Sequence, residues 1–466
     1  MAKPKQKEFR TPRGTHDILP EEQPLWEKIQ KEVKETSAFY GFERIDTPHI
    51  EQTELFTLGT GETTDIVTKQ MYSFRTRGGD QLSLRPEGTP SVMRAYFEHG
   101  MWNLPQPVKL YYFGSFFRHE APQRGRFREF RQWGLELIGE EGAVAEAEVV
   151  RVLYTFLDEL GLKGVVFEVN SIGCATCRPH YRSALSNYYR SRVKGLCKDC
   201  KERFRQNPLR LLDCKEEKCL VIRQGAPQTF DHLCEHCKSH FRVFLEFLDE
   251  VGLPYSLNPF LVRGLDYYTR TVFEVFANEE VKTEPVKEEI PIEGDPVANG
   301  DDKSGSEGKT TQVPQGGGEV RRLALGGGGR YDNLAELIGG RQIPAAGAAI
   351  GIERVILAWK TGRLKLPEPQ RPKVFLAQLG DLAKKKSFGL VEILRKANIS
   401  VAESFGRDSI KSQLKIADKT GVEFALILGQ KEALDGTAIL REMSSGNQET
   451  VPQEKLVETL KKRLKR

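Results

Sequence analysis

Five arginines crowd one short stretch, FRHEAPQRGRFREFRQ at 117–132: Arg118, Arg124, Arg126, Arg128 and Arg131. A guanidinium is planar, stays charged and can pair with oxyanions along two edges, so this concentration of positive charge raises the question of what it faces. Apolar runs flank it, VKLYYFGSFF before and WGLELIG after, which reads as two buried strands joined by a charged hairpin tip. If 127–138 is one strand, alternation puts Arg128, Gln132 and Glu136 on one face and Trp133, Leu135 and Leu137 on the other. The second face belongs to a core. Amide and carboxylate groups on the first face of a central strand would be costly without partners, so that face is expected to meet a ligand.

Three further segments carry polar groups at turns. LSLRPEGTPSVMRAY (82–96) sets Arg85, Glu87, Gly88 and Thr89 where a turn enters a helix, with Thr89 near the cap. VRGLDYYTR contributes Arg263, Tyr267 and Tyr268, with Gly264 allowing a bend between strands. GGGGRYD either lets backbone approach a ligand closely or forms a flexible loop; it lacks the lysine and hydroxyl of a P-loop. In AAIGIERVILAWK (348–360), a strand runs into a helix that Arg354 opens.

All eight cysteines lie between Cys174 and Cys237, as Cys174/Cys177, Cys197/Cys200, Cys214/Cys219 and Cys234/Cys237. The N-terminal residues, MAKPKQKEFRTPRGTHDILP, show no apolar export segment, so thiolate metal sites are favoured over disulfides. The pairs could close one or two tetrahedral zinc sites that hold a small domain together. The irregular spacing of Cys214/Cys219 leaves a cluster of reduced thiols as the alternative.

The elements that must position these groups fall in order. Residues 25–42 place Trp26, Ile29, Val33 and Phe39 at helical spacing, then run into ERIDTPHIE, where Pro48 marks a strand edge or a break. Thr271, Phe273 and Val275 alternate as a strand. The next stretch, 278–319, is acidic, rich in Pro and Gly and nearly free of aromatics, so it is expected to be a disordered insertion looping out between two strands of one sheet. KLPEPQRPK (365–373) reads as a linker. Beyond it VFLAQL, a helix near 381–397, ISVAESF, a helix near 409–420, EFALILG, TAILREM and a basic last helix predict an α/β domain on a mostly parallel sheet. No run approaches the ~20 apolar residues of a membrane span, so a cytoplasmic protein is expected. A formal charge of +5 permits a polyanionic partner without demanding one.

The motifs in this order resemble the histidyl-tRNA synthetase family of class II aminoacyl-tRNA synthetases, from RGTHDILP near residue 13 almost to the C-terminus. ERIDTPHIE resembles motif 1, FRHEAPQRGRFREFRQWGLE motif 2 and AIGIERVIL motif 3. RGLDYYT and GGGGRYD resemble the two signature stretches of the histidine branch, and KSQLKIADKTG resembles the anticodon-binding module. The resemblance implies an α+β fold: a class II antiparallel-sheet catalytic core with helices (1–170 and 253–364), a cysteine-rich insertion (171–252) and a C-terminal α/β anticodon-binding domain (371–466).

It also implies roles. Arg118 would bridge the histidine carboxylate and the α-phosphate of ATP, and Arg263 would add a second arginine there; these two are the catalytic pair. Arg126 and Arg354 would meet the ATP phosphates, with magnesium bridging them. Glu87 and Gln132 would hold the α-amino group, with Gly88, Thr89 and Tyr267 lining the pocket. Glu136 would accept from one imidazole nitrogen while Tyr268 donates to the other. Implied partners are L-histidine, ATP, tRNA(His) and a second copy of the chain in a homodimer, with no membrane contact. The resemblance makes any zinc structural and remote from the chemistry. The rival is the histidine-binding regulatory subunit of ATP phosphoribosyltransferase, a non-catalytic relative that typically lacks the C-terminal domain; a zinc-ribbon nucleic-acid module explains only the cysteines.

Overall fold

A computed structural model describes residues 9–62, 64–121, 124–279, 321–361, 371–405 and 409–464. The described residues fall into two compact units, those within Met1–Leu19 and Leu25–Leu366, and those within Pro20–Pro24 and Pro367–Arg466.

The first unit runs α1 (Gln23–Phe39), β1 (Glu43–Arg44), β2 (Ile50–Gln52), α2 (Thr53–Thr60), β3 (Tyr72–Arg75), β4 (Gln81–Leu84), α3 (Thr89–Glu98), β5 (Val108–Phe117), β6 (Glu129–Ile138), α4 (Val144–Glu159) and β7 (Val166–Ser171). It continues through α5 (Cys177–Arg190), α6 (Lys198–Gln206), α7 (Glu217–Arg223), α8 (Glu235–Glu250), β8 (Tyr255–Leu257), β9 (Thr269–Glu279), β10 (Arg321–Arg330), α9 (Asp332–Gly339), β11 (Ala345–Gly351) and α10 (Ile352–Thr361). Eight strands form one sheet in the order β1-β5-β6-β11-β10-β9-β7-β8. Every pair is antiparallel except the two at the edges, β1 with β5 and β7 with β8. A separate three-stranded sheet is ordered β2-β4-β3.

Period two sorts the large sheet's side chains. Trp133, Leu135 and Leu137 of β6 enter a core with Val149, Leu153 and Phe156 of α4, Phe244 and Leu248 of α8, and Val355 and Trp359 of α10. Truncating any of these large side chains to Ala would cost about 2–5 kcal/mol. The other face keeps Gln132 and Glu136. The sequence-derived strand is two residues too long at its start, because β6 begins at Glu129. Arg128 lies before the pleat begins, where it donates to the carbonyls of Glu120 and Arg13 and packs on Gly14, so it does not share the face of Gln132. Phe39 differs too: α1 ends there, the chain turns, and Phe42 takes the core place while Phe39 stays 82% exposed.

GGGGRYD is not a loop, since its glycines belong to β10, in the middle of the sheet between β9 and β11. Its Arg330 is fully buried and donates to both carboxylate oxygens of Glu146 on α4 at 2.6 and 2.9 Å, while His240 of α8 meets the same Glu146 at 2.7 Å. That pair ties sheet to helices and is unavailable to a ligand. Asn278 and Glu279, expected in the acidic insertion, instead extend β9 and pair with Arg322 and Arg321. The rest of that insertion, 280–319, lies outside the described residues, as do residues 365–370 of the expected linker.

The second unit holds β12 (Val374–Gln378), α11 (Asp381–Lys396), β13 (Val401–Glu403), α12 (Ile410–Thr420), β14 (Phe424–Leu428), α13 (Gln430–Asp435), β15 (Thr437–Glu442), β16 (Gln448–Pro452) and α14 (Gln453–Arg463). Its sheet is ordered β13-β12-β14-β15-β16. It is mixed rather than mostly parallel: β13-β12-β14 are parallel, while β15 and β16 run antiparallel. The edge strand β16 buries only Val451, so no apolar alternation announces it.

Candidate active site

One cavity of about 750 Å³ gathers Arg118, Arg126, Arg263 and Arg354 with Glu87, Thr89, Gln132, Tyr267 and Tyr268. Four sequence segments far apart in the chain meet there because the sheet order places β6, β11, β10 and β9 side by side. Small residues, Gly326, Gly327, Ala348 and Ala349, floor the space. A Cβ at Gly327 would stand 2.8 Å from Nη1 of Arg263, so a bare backbone is what lets that guanidinium lie flat on the sheet.

Two of the four cations, Arg118 and Arg354, are held from behind by neutral carbonyls. Arg118 Nε donates to the Pro86 carbonyl at 2.8 Å and its guanidinium sits 5.4 Å over the Phe130 ring. Arg354, in the first turn of α10, donates from Nη1 to Ala324 O at 2.7 Å and from Nε to Gly125 O at 3.3 Å. Burial, then the neighbouring Arg126 guanidinium, pulls Arg354 below its ordinary value. Glu120 lies 3.8 Å from Arg118 and 3.4 Å from Arg126. Glu274 lies 3.6 Å from Arg263. Such a cluster suits a polyanion.

Deeper in, the groups change character. Glu87 is buried, and it accepts from Thr60 Oγ1 and from the Tyr267 hydroxyl at 2.7 Å. Burial raises its carboxyl above the usual range against those two hydrogen bonds. Gln132 Oε1 is buried with no hydrogen-bond partner among the described residues, so an acceptor faces the cavity with nothing to accept. An ammonium group would satisfy it.

Glu136 lies one layer behind the cavity wall and is not itself part of the lining. Thr89 Oγ1 donates to one of its oxygens at 2.8 Å and the Tyr331 hydroxyl to the other. Burial pushes its carboxyl up to about 8. Thr89 opens α3 beside the N-cap Gly88, as expected, and its side chain is a link to Glu136. Gly88 is also outside the lining: it sits against Tyr112, whose ring carbon a Cβ would approach to 2.3 Å.

Arg128 and Arg131 of the opening cluster serve the scaffold. Arg131 packs 4.7 Å over Trp26 and Arg124 lies in the turn at the hairpin tip. Arg85 packs 4.5 Å over Phe116 and donates to Ser115 O and Thr47 O. Among lining residues, Tyr112 and Glu274 went unread in the sequence; β5 alternation and a lone acid between Phe273 and Val275 were their only traces.

The eight thiols are free and form two quartets, Cys174, Cys177, Cys234, Cys237 and Cys197, Cys200, Cys214, Cys219. Within each, the sulfurs lie within 4.8 Å of one another.

A solved structure, apo histidyl-tRNA synthetase from S. aureus, superposes with a TM-score of 0.73 at 32% identity, covering 97% of this chain and all of that one. Proteins named histidine–tRNA ligase from Dehalococcoides mccartyi and Caldicellulosiruptor saccharolyticus are 43% and 42% identical, each over 98% of this chain and 100% of the relative. An antiparallel sheet that carries these arginines into one cleft, in a chain that also holds a separate α/β unit, is the architecture of a class II aminoacyl-tRNA synthetase. The family profile described as Histidyl-tRNA synthetase matches residues 14–286, and that described as Anticodon binding domain matches 373–463. The chain belongs to the histidyl-tRNA synthetase family. No described helix is long and apolar enough to cross a membrane.

Proposed function

We propose that the chain activates L-histidine with ATP, entering as its magnesium complex, to histidyl-adenylate and passes the histidyl group to the 3′ end of tRNA(His). The observation that carries this reading is the shared cavity of Arg118, Arg126, Arg263 and Arg354 beside Glu87, Gln132, Tyr267 and Tyr268.

Histidine binds with its ammonium between Glu87 and Gln132, whose open acceptor it fills. Its carboxylate then meets Arg118, and the imidazole meets Tyr268 and the Thr89–Glu136 pair. Arg126 and Arg354 hold the β- and γ-phosphates. The carboxylate oxygen attacks the α-phosphorus in line, the bond to the bridging oxygen breaks, and pyrophosphate leaves. Arg118 and Arg263 face the charge that builds on the α-phosphate oxygens, so the protein acts by positioning and electrostatics. In the second step a terminal ribose hydroxyl of tRNA attacks the acyl carbon and AMP departs.

The unit at 367–466 supplies the anticodon contact, and two copies of the chain form a cytoplasmic homodimer. Zinc on the cysteine quartets completes the reading. The regulatory rival is disfavoured because the C-terminal unit is present and matches the anticodon-binding profile. Histidine-dependent exchange of radiolabelled pyrophosphate into ATP is the test: exchange with histidine and with no other amino acid is expected, and its absence would remove the reading.

A further inference from the structure

The cysteine quartets occupy different places. Cys174 and Cys177 lie just after β7 and join Cys234 and Cys237 at the start of α8, whose Phe241, Phe244 and Leu248 belong to the main core. The other quartet reaches the active site, since Cys197 and Cys214 themselves line the catalytic cavity with Arg203, Arg210 and Asp213. We propose that Cys197, Cys200, Cys214 and Cys219 hold a zinc ion that forms part of the cavity wall and sets how tightly the cavity holds its substrates, while a second zinc on Cys174, Cys177, Cys234 and Cys237 serves the fold alone.

The sulfur geometry is that of a metal site. Four thiolates at the usual Zn–S distance of about 2.3 Å stand roughly 3.8 Å apart along each tetrahedral edge. Cys197 and Cys214 sulfurs are 3.8 Å apart, and those of Cys174 and Cys177 3.6 Å, far beyond a disulfide bond. Backbone amides already donate to the sulfurs: Cys200 N to Cys197 at 3.4 Å, Cys197 N to Cys219 at 3.3 Å, and Cys234 N to Cys177 at 3.1 Å. Amides aimed at sulfur stabilise thiolates, the form that ligates metal.

A chain of contacts links this quartet to the chemistry. Cys197 caps α6, and Arg203 on that helix donates to Asp65 Oδ2 at 3.0 Å. Arg210, four residues before Cys214, donates to the same oxygen at 2.7 Å. Asp65 leads the segment whose Ile66 and Gln70 line the cavity. The Gln70 carbonyl in turn accepts the His119 amide at 2.7 Å, one residue past Arg118. Losing the metal would free α6 and the Arg203–Asp65–Arg210 clamp, and with it the wall beside the motif 2 hairpin.

The catalytic part of this inference rests on the proposed histidine activation. The test uses full-length protein purified under reducing conditions without chelator. Elemental analysis should find two zinc ions per chain, and protein grown with cobalt(II) should show the thiolate-to-cobalt absorption of tetrahedral sites. Cys197→Ser with Cys214→Ser should lose one zinc and raise the KM for ATP or histidine in pyrophosphate exchange about tenfold, with kcat within about twofold. Cys174→Ser with Cys177→Ser should lose the other zinc and lower the melting temperature at unchanged KM. If a cysteine variant does not fold, Asp65→Asn still decides, since it should keep both zinc ions and reproduce the rise in KM. Fewer than two zinc ions in the parent protein, or an Asp65→Asn or Cys197/Cys214 variant with unaltered KM, would overturn the proposal. Zinc content and the cobalt spectrum are read without turnover, so their failure is distinct from an absence of exchange in the parent enzyme.

Discussion

Thr89 Oγ1 donates a 2.8 Å hydrogen bond to Glu136 Oε1, joining a cavity-lining hydroxyl to a carboxyl that burial pushes up to about 8. The unfolded chain releases this proton near the ordinary value, 4.5, and the folded chain near 8. Between those values only the unfolded state has lost it, so folding stability falls as pH rises through that window. Glu136→Gln should flatten the fall: between about pH 5.5 and 7.5 the wild type should lose on the order of 2 kcal/mol more than the variant, read from urea midpoints. Parallel slopes would place the Glu136 proton elsewhere. In the same variant the KM for histidine should rise more than that for ATP.

Tyr112 is wedged between two glycines. A Cβ at Gly88 would come within 2.3 Å of its ring, and one at Gly134, its partner across β6, within 2.1 Å. Gly88→Ala or Gly134→Ala must push the ring into the cavity or out of register. Each should cost about 1–3 kcal/mol of stability and raise the KM for histidine several-fold, checked by denaturation and pyrophosphate exchange.

Arg330 illustrates what a sequence pattern hides. GGGGRYD stands in a signature of the site, yet Arg330 is fully buried against Glu146 while Tyr331, its neighbour, reaches Glu136. Arg330→Met leaves the buried Glu146 without its main counter-charge and should cost about 3–5 kcal/mol. Where the variant folds, its KM values should stay near those of the parent. A stable variant with a lost ATP site would reverse this assignment.

Arg263 has no hydrogen-bond partner at Nε among the described residues and lines the cavity beside Glu274. Arg263→Ala should slow adenylate formation about 10²–10³-fold, the usual effect of removing one preorganised donor, while tRNA binding changes little. Rapid-quench measurement of adenylate and filter binding of tRNA separate the two; equal losses in both would contradict the role.

The legible parts of the molecule were those in which periodicity and burial agree. Trp133, Leu135 and Leu137 could be placed on a core face, and Arg354 at the head of a helix, because a single element decides each. Arg128 and Phe39 differ because each sits at the limit of its element, Arg128 one residue before β6 and Phe39 the last residue of α1, where period no longer governs direction. Composition leaves the glycine run open between a close backbone approach to a ligand and a flexible loop, and only the carbonyls of β9 and β11 pressing on either side show why it must be strand. The cysteine partners were out of reach: spacing names four pairs, but which pairs meet depends on how α5 to α8 fold back.

The most direct test of the whole account is a crystal structure with a non-hydrolysable histidyl-adenylate mimic, a sulfamoyl analogue in which the phosphate is replaced. The sulfamoyl oxygens should contact Arg118 and Arg263, the α-amino group Glu87 and Gln132, and the imidazole should lie against Tyr268 and Thr89. A mimic seated elsewhere, or one whose sulfamoyl group touches neither arginine, would contradict the account.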